Sequence, residues 1–416
     1  MAPYLKSLFG HAVAMAQPSL AVKENLPAKP KGKTIVIGAG KASAQMARAF
    51  ERAWDGPISG LVVTRYGYAE ACECIEIVEA AHPVPDEAGY LAARRIMEQV
   101  SGLGRDDLVV ALISGGGSSL LPAPAAGMSL ADEQAINQAL LASGAPISVM
   151  NLVRNQFSTI KGGRLAIQAA PATVATLVVS DVPGDDPAVV ASGPTLAQSG
   201  DRALARKYVD LYKLKLPAAA AHLLAGEDNL APRSDDPRFA NNSVRTIASA
   251  ALSLSTAAAL VRQRGIEAAI LSDSIEGEAR DVAQVHAAMA REVSMRNQPF
   301  AKPVVLLSGG ETTVTLRGKG RGGRNGEFLL ALAIGLDGTS GITALAADTD
   351  GIDGSEDNAG AFVDGTSANR MRAVGIDPLA ALANNDAYSA FAAIGDLLIT
   401  GPTGTNVNDF RAIIIR

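Results

Sequence analysis

Several glycine-rich segments of this 416-residue chain carry charged or hydroxyl side chains directly after a strand-like run of apolar residues. The first contains Gly38, Gly40, Lys41 and Ser43. Free backbone amides at a helix start, next to a lysine, can bind a phosphate or a carboxylate. The Gly-x-Gly spacing also begins a dinucleotide fingerprint, but Ser43 replaces the third glycine and the next strand pattern ends at Arg65 without an acidic residue. The segment therefore predicts an anion site and gives weak support to a nicotinamide cofactor.

A run of three glycines between serines follows the fully apolar strand pattern Leu108–Ile113. Its members are Ser114, Gly115, Gly116, Gly117, Ser118 and Ser119. Three consecutive glycines lose much backbone entropy on folding, which favours a bound ligand over a flexible turn as the explanation. Because amides and neighbouring hydroxyls can both donate, the run suits a small anion. The G-x-S-x-G pattern of a serine nucleophile is absent.

Two further segments of the first half add basic and acidic candidates. Arg154 and Lys161 are seven residues apart, about two helical turns, so one helix face could present both to an anion or to solvent. Asp181 follows directly after an apolar strand pattern, a position typical of catalytic and magnesium-binding aspartates. The stretch after it adds three candidate binding residues, Ser192, Gly193 and Thr195.

The second half of the chain places similar residue types after its own strand patterns, with no repeat of the sequence itself. A glycine pair precedes an acid at Gly309, Gly310 and Glu311. A longer glycine-rich loop ends at Arg324 and Asn325, before a helix pattern. Arginine beside such a loop fits a polyphosphate. RNA binding is disfavoured, because this short Arg-Gly run lies in an acidic chain.

Three carboxylates, Asp348, Asp350 and Asp353, follow another strand pattern. Their spacing does not fit an EF-hand loop, but it suits a Mg²⁺ ion whose shell is completed by water and phosphate. The alternative is a turn held by Asx hydrogen bonds. Among the histidines, His286 lies on the apolar side of its helix pattern, which indicates packing, and His82 is a minor candidate after a strand.

Composition places the chain among two-domain α/β enzymes of a reducing compartment, which we take to be the cytoplasm. Hydrophobic residues make up 48% and aromatic residues 4%, and 37 basic against 42 acidic residues give a net charge of −5. This charge offers no surface for nucleic acid, and no apolar stretch of about 18 residues predicts a membrane span. The only two cysteines, Cys72 and Cys74, predict neither a disulfide framework nor a zinc site.

Alternating strand and helix patterns must position these residues. Four strand patterns of the first half are Thr34–Ile37, Ile75–Ala80, Leu108–Ile113 and Thr173–Val179. Apolar strands interleaved with helices predict a parallel sheet covered on both faces. Helical spacing of apolar residues near the N-terminus predicts an amphipathic helix packed on the first domain.

A polar segment near residues 226–245 predicts the domain boundary. We therefore expect an α/β fold with a Rossmann-like domain at 1–230 and a smaller α/β domain at 231–416, whose last residues could return to the first domain. In the second domain, Val304–Leu307 and Thr312–Arg317 predict two strands around a tight glycine turn.

In chain order, these motifs resemble those of the type II glycerate kinase family, whose second domain is called MOFRL. The matching motifs are Gly38–Ser43, His82–Asp86, Ser114–Ser119, Lys161–Arg164, Ser180–Asp185, Ser192–Thr195, Ser308–Glu311, Gly322–Asn325, Asp348–Gly351 and Gly401–Asn406. Each is unspecific alone, but together they span nearly the whole chain. Gly326 departs from the larger polar residue, such as glutamine, that many members carry there.

The resemblance implies ATP-dependent phosphorylation of D-glycerate, usually at the 2-hydroxyl, in a cleft between two α/β domains. ATP and Mg²⁺ are the expected cofactors. Lys41 and Arg324 are expected to face that cleft and to stabilise the transferring phosphoryl group. Asp181 is the leading candidate to orient or deprotonate the hydroxyl, and Asp350 or Glu311 to hold Mg²⁺.

Other features stay open at this point. Arg154, Lys161 and the glycine-rich loops are expected to hold anionic oxygens, with their division between nucleotide and glycerate undecided. A homodimer is one alternative for the oligomeric state. Some family members have been labelled hydroxypyruvate reductases, so NAD(P)H-dependent reduction is the competing activity, with Arg65 meeting a 2′-phosphate. A non-catalytic sensor is a third alternative. The incomplete dinucleotide fingerprint favours the kinase.

Overall fold

The computed structural model describes residues 1–182, 184–197 and 200–416, which form two compact units. The N-terminal unit comprises Pro18–Val182 and Asp186–Ile247, and the C-terminal unit comprises Met1–Gln17, residues 184–185 and Ala248–Arg416. The division after Ile247 lies later than the boundary expected after residue 230. The reason is that Ser243–Ala248 forms the sixth strand of the first sheet.

The amphipathic helix α1 (Ala2–Met15) belongs to the C-terminal unit. It buries Leu5, Leu8 and Phe9 in a core shared with Phe410, and the ring centroids of Phe9 and Phe410 are 5.9 Å apart in an edge-on arrangement. The helix itself is confirmed. The expectation that it packs on the first domain is wrong, because its apolar stripe is buried by the second sheet and a helix of the same unit.

Six strands form the sheet of the N-terminal unit. They are β1 (Thr34–Ala39), β2 (Ile58–Arg65), β3 (Ile75–Ala80), β4 (Leu108–Ser114), β5 (Thr173–Val179) and β6 (Ser243–Ala248). They lie in the order β3-β2-β1-β4-β5-β6, and the four pairs among β1 to β5 are parallel. The order reverses between β1 and β4, where loops diverge and open α/β sheets bind ligands. The predicted Rossmann-like α/β arrangement is confirmed.

Some helices of the N-terminal unit begin at a residue whose side chain caps their free amides, and others begin without such a cap. The helices are α2 (Pro18–Glu24), α3 (Ser43–Ala53), α4 (Glu87–Gln99), α5 (Gly117–Leu120), α6 (Leu130–Ala142), α7 (Ile147–Asn155), α8 (Arg164–Ala169), α9 (Arg202–Leu211) and α10 (Ala218–Ala225). Ser129 and Asp132 form a capping box at the start of α6. Asp86 accepts from the Gly89 amide at 3.1 Å and so caps α4.

The C-terminal unit is built on a second six-stranded sheet. Its strands are β7 (Glu267–Glu278), β8 (Val304–Thr313), β9 (Ile342–Asp348), β10 (Gly360–Asp364), β11 (Leu397–Leu398) and β12 (Asp409–Ile415). Their order is β11-β10-β9-β12-β8-β7. Only β7 and β8 pair in parallel, so the sheet is mixed.

Helices cover both faces of this second sheet. They are α1, α11 (Ala250–Gln263), α12 (Ala279–Arg296), α13 (Arg324–Gly335), α14 (Ser367–Ala373), α15 (Pro378–Ala383) and α16 (Ala387–Ile394). One apolar core lies beneath α12 and α13, and the other beneath α1 and α11. Across the described ranges, no helix is both long and apolar enough to cross a membrane.

Two expectations for this sheet are wrong. The predicted hairpin is one continuous strand, β8, with Gly309 and Gly310 inside it. Glycine is needed there because a Cβ on Gly310 would lie 2.2 Å from the Ile275 carbonyl oxygen of β7. The last strand, β12, does not return to the first sheet. It lies between β8 and β9, because its apolar side chains complete the cores on both faces.

Candidate active site

Hydrogen bonds join the loops after β1 and β4 at the point where the first sheet reverses its order. Ser114 Oγ accepts from the Ala42 amide at 3.0 Å and lies 2.9 Å from Ser43 Oγ. The Lys41 amide donates to the Gly115 carbonyl at 2.8 Å. Both serines are buried. Ser43 and Ser114, predicted to bind an anion, therefore hold the two loops together and fix the backbone of Lys41.

The glycines of the first segment have a packing reason. A Cβ on Gly38 would lie 2.3 Å from the Leu112 carbonyl oxygen. A Cβ on Gly40, where φ is +144°, would lie 2.1 Å from Ser114 Oγ. Both positions therefore require glycine because β4 and its loop approach β1 so closely.

The glycines after β4 bring three ionisable side chains together. A Cβ on Gly115 would lie 1.7 Å from Asp181 Oδ2, and a Cβ on Gly116 would lie 3.0 Å from the His82 ring and 3.2 Å from Lys41 Cγ. Lys41 Nζ lies 3.9 Å from Asp181 Oδ2, and the two side chains are 29% and 20% exposed. We call Lys41, His82, Gly115, Gly116 and Asp181 the Lys41 cluster.

Burial sets the protonation states of this cluster. It raises the pKa of Asp181 above the ordinary value, and the charge of Lys41 partly offsets that increase. Burial also lowers the pKa of His82 to about 4, and the positive charges of Lys41 and Arg65 act in the same direction. At neutral pH His82 is therefore uncharged. A carboxylate with a raised pKa is a stronger base than usual, so Asp181 is suited to accept a proton from a hydroxyl.

Three consecutive residues after β5 have a left-handed backbone. The φ angles are +54° at Ala191, +61° at Ser192 and +56° at Gly193. For residues other than glycine this conformation costs about 1–3 kcal/mol, and it gathers at functional sites. Ser192 Oγ donates to Asn151 Oδ1 at 2.9 Å and lies 2.7 Å from Ser118 Oγ. The strained segment thus brings Ser118 and Ser192, predicted from separate motifs, into contact.

Three other predicted binding residues make local contacts. Ser119 Oγ donates to the Gly116 carbonyl at 3.1 Å. Thr195 is buried, and its Oγ1 accepts from Thr176 Oγ1 at 2.8 Å. A Cβ on Gly117 would lie 2.6 Å from a neighbouring alanine Cβ. These contacts support the shape of the loops.

Arg154 and Lys161 do not share a helix face, and that prediction is wrong. α7 ends at Asn155, and the chain then turns before α8 begins at Arg164. Arg154 Nη1 donates to Asn151 Oδ1 at 3.1 Å, which places it beside the partner of Ser192. Lys161 is only 2% exposed, and its Nζ donates at 2.6 Å to a carboxylate, Glu133, and at 3.0 Å to the Leu121 carbonyl.

The C-terminal unit gathers carboxylates around Arg324, the first residue of α13. Arg324 Nε donates to Asp409 Oδ1 and its Nη2 to Asp348 Oδ2, both at 2.7 Å. Its Nη1 lies 3.3 Å from Glu311 Oε1. Asn325 Nδ2 also donates to Asp409 Oδ1, at 2.8 Å. These five residues come from the ends of β8, β9 and β12 and the start of α13, and we call them the Arg324 cluster.

Arg411 holds Asp409 from the opposite side. The two residues are two apart in β12, so their side chains lie on the same face of the sheet. Arg411 is completely buried; its Nη2 donates to Asp409 Oδ2 and, at 3.1 Å, to Thr312 Oγ1. Sequence reasoning missed both residues. The signal was an acid and an arginine at alternating positions of an otherwise apolar strand.

Electrostatics keep Arg324 charged within this cluster. Burial opposes its charge, but Asp409 and Asp348 outweigh that effect and raise its pKa. Burial raises the pKa of Asp348 well above the ordinary value, although Arg324 opposes that increase. The guanidinium is therefore a fixed cation, and 23% of its side chain remains exposed to a ligand.

The glycine-rich loop before α13 packs on the turn Asn384–Asp386. Its amides are used within the chain: the Gly320 amide donates to the Asn384 carbonyl at 2.9 Å and the Arg321 amide to Asp386 Oδ1 at 3.0 Å. At the helix start, Asp353 accepts from the amides of residues 325 and 326 at 2.9 and 2.7 Å. Several amides of the predicted polyphosphate loop are therefore already bonded to oxygens of the chain itself.

The predicted metal ligands lie in different surroundings. Asp350 Oδ1 accepts from the Ile352 amide at 2.8 Å, which is the Asx turn considered from the sequence. Glu311 lies beside Arg324, with half of its side chain exposed. Within the described ranges no group of three or more His, Cys, Asp or Glu side chains is arranged for a metal ion.

Comparisons with known proteins cover nearly the whole chain. The model described as "Domain of unknown function (DUF4147)" matches residues 4–225, and the MOFRL family model matches residues 304–409. A D-glycerate 2-kinase from Thermotoga maritima is 41% identical over 394 residues, 94% of this chain and 93% of that protein. The crystal structure of a Thermotoga maritima glycerate kinase has a TM-score of 0.90 at 39% identity, covering 99% of this chain and 98% of that one.

One similar protein has a name from the other reaction class. A protein from Agrobacterium vitis, 53% identical over 414 residues, is provisionally named a hydroxypyruvate reductase. The match covers 99% of this chain and 94% of that protein. A family model over half of the chain and relatives of this identity along its length show that the chain belongs to the glycerate kinase family, in which a DUF4147 domain is followed by a MOFRL domain.

Proposed function

We propose that this protein transfers the γ-phosphoryl group of ATP to D-glycerate, at the 2-hydroxyl, to give 2-phosphoglycerate and ADP. The Arg324 cluster is the observation that carries the proposal. A permanently charged guanidinium held by buried carboxylates, with one side exposed, suits the stabilisation of a transferring phosphoryl group. The similarity to a D-glycerate 2-kinase over 94% of the chain supports the same substrate.

Lys41 and Asp181 supply complementary chemistry in the proposed reaction. Lys41 Nζ, 3.9 Å from Asp181 Oδ2, provides positive charge for an anionic oxygen of the substrate. The raised pKa of Asp181 supports its role as the group that orients the glycerate hydroxyl and accepts its proton. Phosphoryl transfer relies on such positioning and charge more than on covalent chemistry.

The acidic residues present fit Mg²⁺ in kind. Magnesium bound with a nucleotide commonly takes one or two protein carboxylates and completes its shell with phosphate oxygens and water. Asp350 and Glu311 would be such ligands. A site with only one or two protein carboxylates is compatible with the finding that the described ranges contain no group of three His, Cys, Asp or Glu side chains arranged for a metal ion. When bound, Mg²⁺ would neutralise charge on the phosphate oxygens. Arg154, with Ser118 and Ser192, is proposed to contact anionic oxygens of a substrate.

A paired assay on the purified protein tests the proposal. One arm contains ATP, Mg²⁺ and D-glycerate, with ADP followed and the product passed directly to enolase. The other contains hydroxypyruvate and NAD(P)H without ATP. Glycerate-dependent ADP formation with a product that enolase accepts at once is expected. Oxidation of NAD(P)H without ADP formation would replace the kinase by a reductase, and ADP formation with a product that needs a mutase would move the phosphate to the 3-position.

A further inference from the structure

The reaction proposed above gives Arg65 no role. Arg65 ends β2, next to β1, whose following loop carries Lys41. In the register of the two strands Ala39 is paired with Val63, so Lys41 and Arg65 each lie two residues beyond the same pair. Both residues therefore lie at neighbouring positions on the carboxyl edge of the sheet. Open α/β sheets bind their ligands at this edge.

The Arg65 side chain is held in place without an ion pair. Its guanidinium lies over the Tyr68 ring, with Cζ 3.6 Å from the ring centroid. Its Nε is shielded from solvent and finds no hydrogen-bond acceptor anywhere in the described part of the chain. A shielded N–H without an acceptor is destabilising, and an acceptor supplied by a ligand would remove that cost.

Nearby carboxylates are used by other groups. Glu79, on β3, accepts from the amides of Gly67 and Tyr68 at 2.6 and 3.2 Å. Asp86 accepts from the Tyr66 hydroxyl at 2.8 Å and caps α4. Neither forms an ion pair with Arg65, and the remaining cation of this edge, Lys41, lies beside Asp181. Arg65 is therefore a cation of this edge that forms no ion pair with any residue that the structure describes.

We propose that Arg65 binds the carboxylate of the acceptor substrate, and so selects hydroxy acids over neutral alcohols. This inference rests on the proposed phosphorylation of glycerate. A guanidinium presents two parallel N–H donors that match the two oxygens of a carboxylate, and stacking on Tyr68 fixes the plane of that fork. In glycerate the carboxylate is bonded to the carbon that bears the 2-hydroxyl. A carboxylate on Arg65 would therefore keep the hydroxyl near the strand-end groups that include Asp181.

Kinetics of three variants test the inference. Arg65→Met removes the charge but keeps much of the side-chain volume, and Arg65→Lys keeps the charge but loses the planar fork. Arg94→Met is the matched control, because Arg94 also lies over a tyrosine, with its Cζ 6.0 Å from the Tyr90 centroid, but on α4. We expect Arg65→Met to raise the KM for D-glycerate at least tenfold and to change the KM for ATP less than twofold. Arg65→Lys should be intermediate and Arg94→Met unchanged.

Two binding measurements separate the outcomes. Calorimetric titration with D-glycerate, in the absence of nucleotide, should show the same loss of affinity in Arg65→Met. The neutral analogue glyceramide should inhibit the wild type and Arg65→Met equally, because it lacks the carboxylate. An unchanged KM for glycerate overturns the inference, and so does an effect on the KM for ATP alone, which would assign Arg65 to nucleotide phosphates. A wild-type protein that forms no ADP refutes the proposed function itself, independently of Arg65.

Discussion

The Arg324 cluster and the Lys41 cluster both lie at strand ends, but they are held in different ways. Asp409 takes donors from Arg324, Asn325 and Arg411, so the guanidinium of Arg324 is fixed by short contacts from several elements. Lys41 Nζ, by contrast, stays 3.9 Å from Asp181 Oδ2. The Arg324 cluster is therefore electrostatically preorganised, so its charges need no rearrangement during a reaction. The Lys41 cluster leaves room for a contact that tightens when substrate binds.

Removing Arg324 should have the largest effect. Arg324→Ala leaves Asp348 and Asp409 without their shared cation, so kcat should fall by about 10³-fold, the scale seen for arginines that stabilise phosphoryl transfer. The free energy of unfolding should fall by about 3–5 kcal/mol, because buried Asp348 loses its cation, whereas Asp409 keeps Arg411. Steady-state kinetics and urea denaturation measure both. Arg321→Ala, which breaks the partly exposed pair with Glu356, is the control and should change kcat and stability much less than Arg324→Ala does. Equal effects in both variants would contradict the comparison.

Lys161 should matter for stability and not for binding. Lys161→Met leaves Glu133 buried without its cation, and the free energy of unfolding should fall by about 3–5 kcal/mol. The KM values for ATP and glycerate should stay within twofold in the folded fraction. Adding Glu133→Gln to the same chain should restore part of the stability. A tenfold rise of either KM with normal stability would return Lys161 to the site where the sequence placed it.

Lys41→Ala should separate activity from stability. We expect kcat to fall by about 10²-fold, the cost of losing one group that stabilises the transition state. The free energy of unfolding should change by less than about 1 kcal/mol, because the 3.9 Å pair with Asp181 is partly exposed. Lys29→Ala, which breaks an exposed pair with Asp55, controls for loss of a surface charge. A kcat near that of the wild type would remove Lys41 from the mechanism.

His286 should make the stability of the C-terminal unit depend on pH. Burial lowers its pKa to about 4, whereas an unfolded histidine titrates near 6.5. The unfolded chain therefore binds a proton that the folded chain does not, so stability is lost as pH falls from about 6.5 to about 4. The contribution is on the order of 3 kcal/mol. Urea denaturation between pH 7.5 and 4 should show a shallower loss in His286→Gln; the same slope as the wild type would show that His286 does not cause it.

The smallest effect expected is that of Arg411→Lys. Lysine keeps the charge near Asp409 but cannot also reach Thr312 in the same plane, so Asp409 and hence Arg324 should shift slightly. We expect kcat to fall about tenfold with unchanged KM values. A folding defect would lower the fraction of enzyme that is active. The concentration of active sites is therefore measured from the amount of product formed in the first turnover, and kcat is calculated from it. A raised KM with normal kcat would show that Arg411 does not position Arg324.

The sequence predicted the first sheet well because its strands are continuously apolar and end at polar loops. Its weaker predictions concern glycines. Gly38, Gly115 and Gly310 were assigned to ligands, yet each allows a close approach of other parts of the chain. Glycine permits a backbone to approach anything, whether a phosphate or a neighbouring strand, so composition cannot tell the two apart.

Charged residues show the same limit. Arg154 and Lys161 are spaced so that one helix face could have carried both. Only the fold reveals that Lys161 is buried against Glu133. Arg411 and Asp409 were missed because an arginine in an apolar strand carries no catalytic motif, and its importance comes from contacts with residues about 100 positions away. The alternation of acid and arginine along the strand was visible in the sequence, but their distant partners could not be read from a single sequence.

The assignment of α1 to the C-terminal unit has a consequence for synthesis on the ribosome. α1 is translated before the N-terminal unit, but α11, which helps bury Leu5, Leu8 and Phe9, follows only after that entire unit. At roughly 5–20 residues per second, that interval lasts on the order of 10–50 seconds. During that interval the segment that becomes α1 exposes its apolar residues on the nascent chain, where a chaperone can bind them and where aggregation can begin.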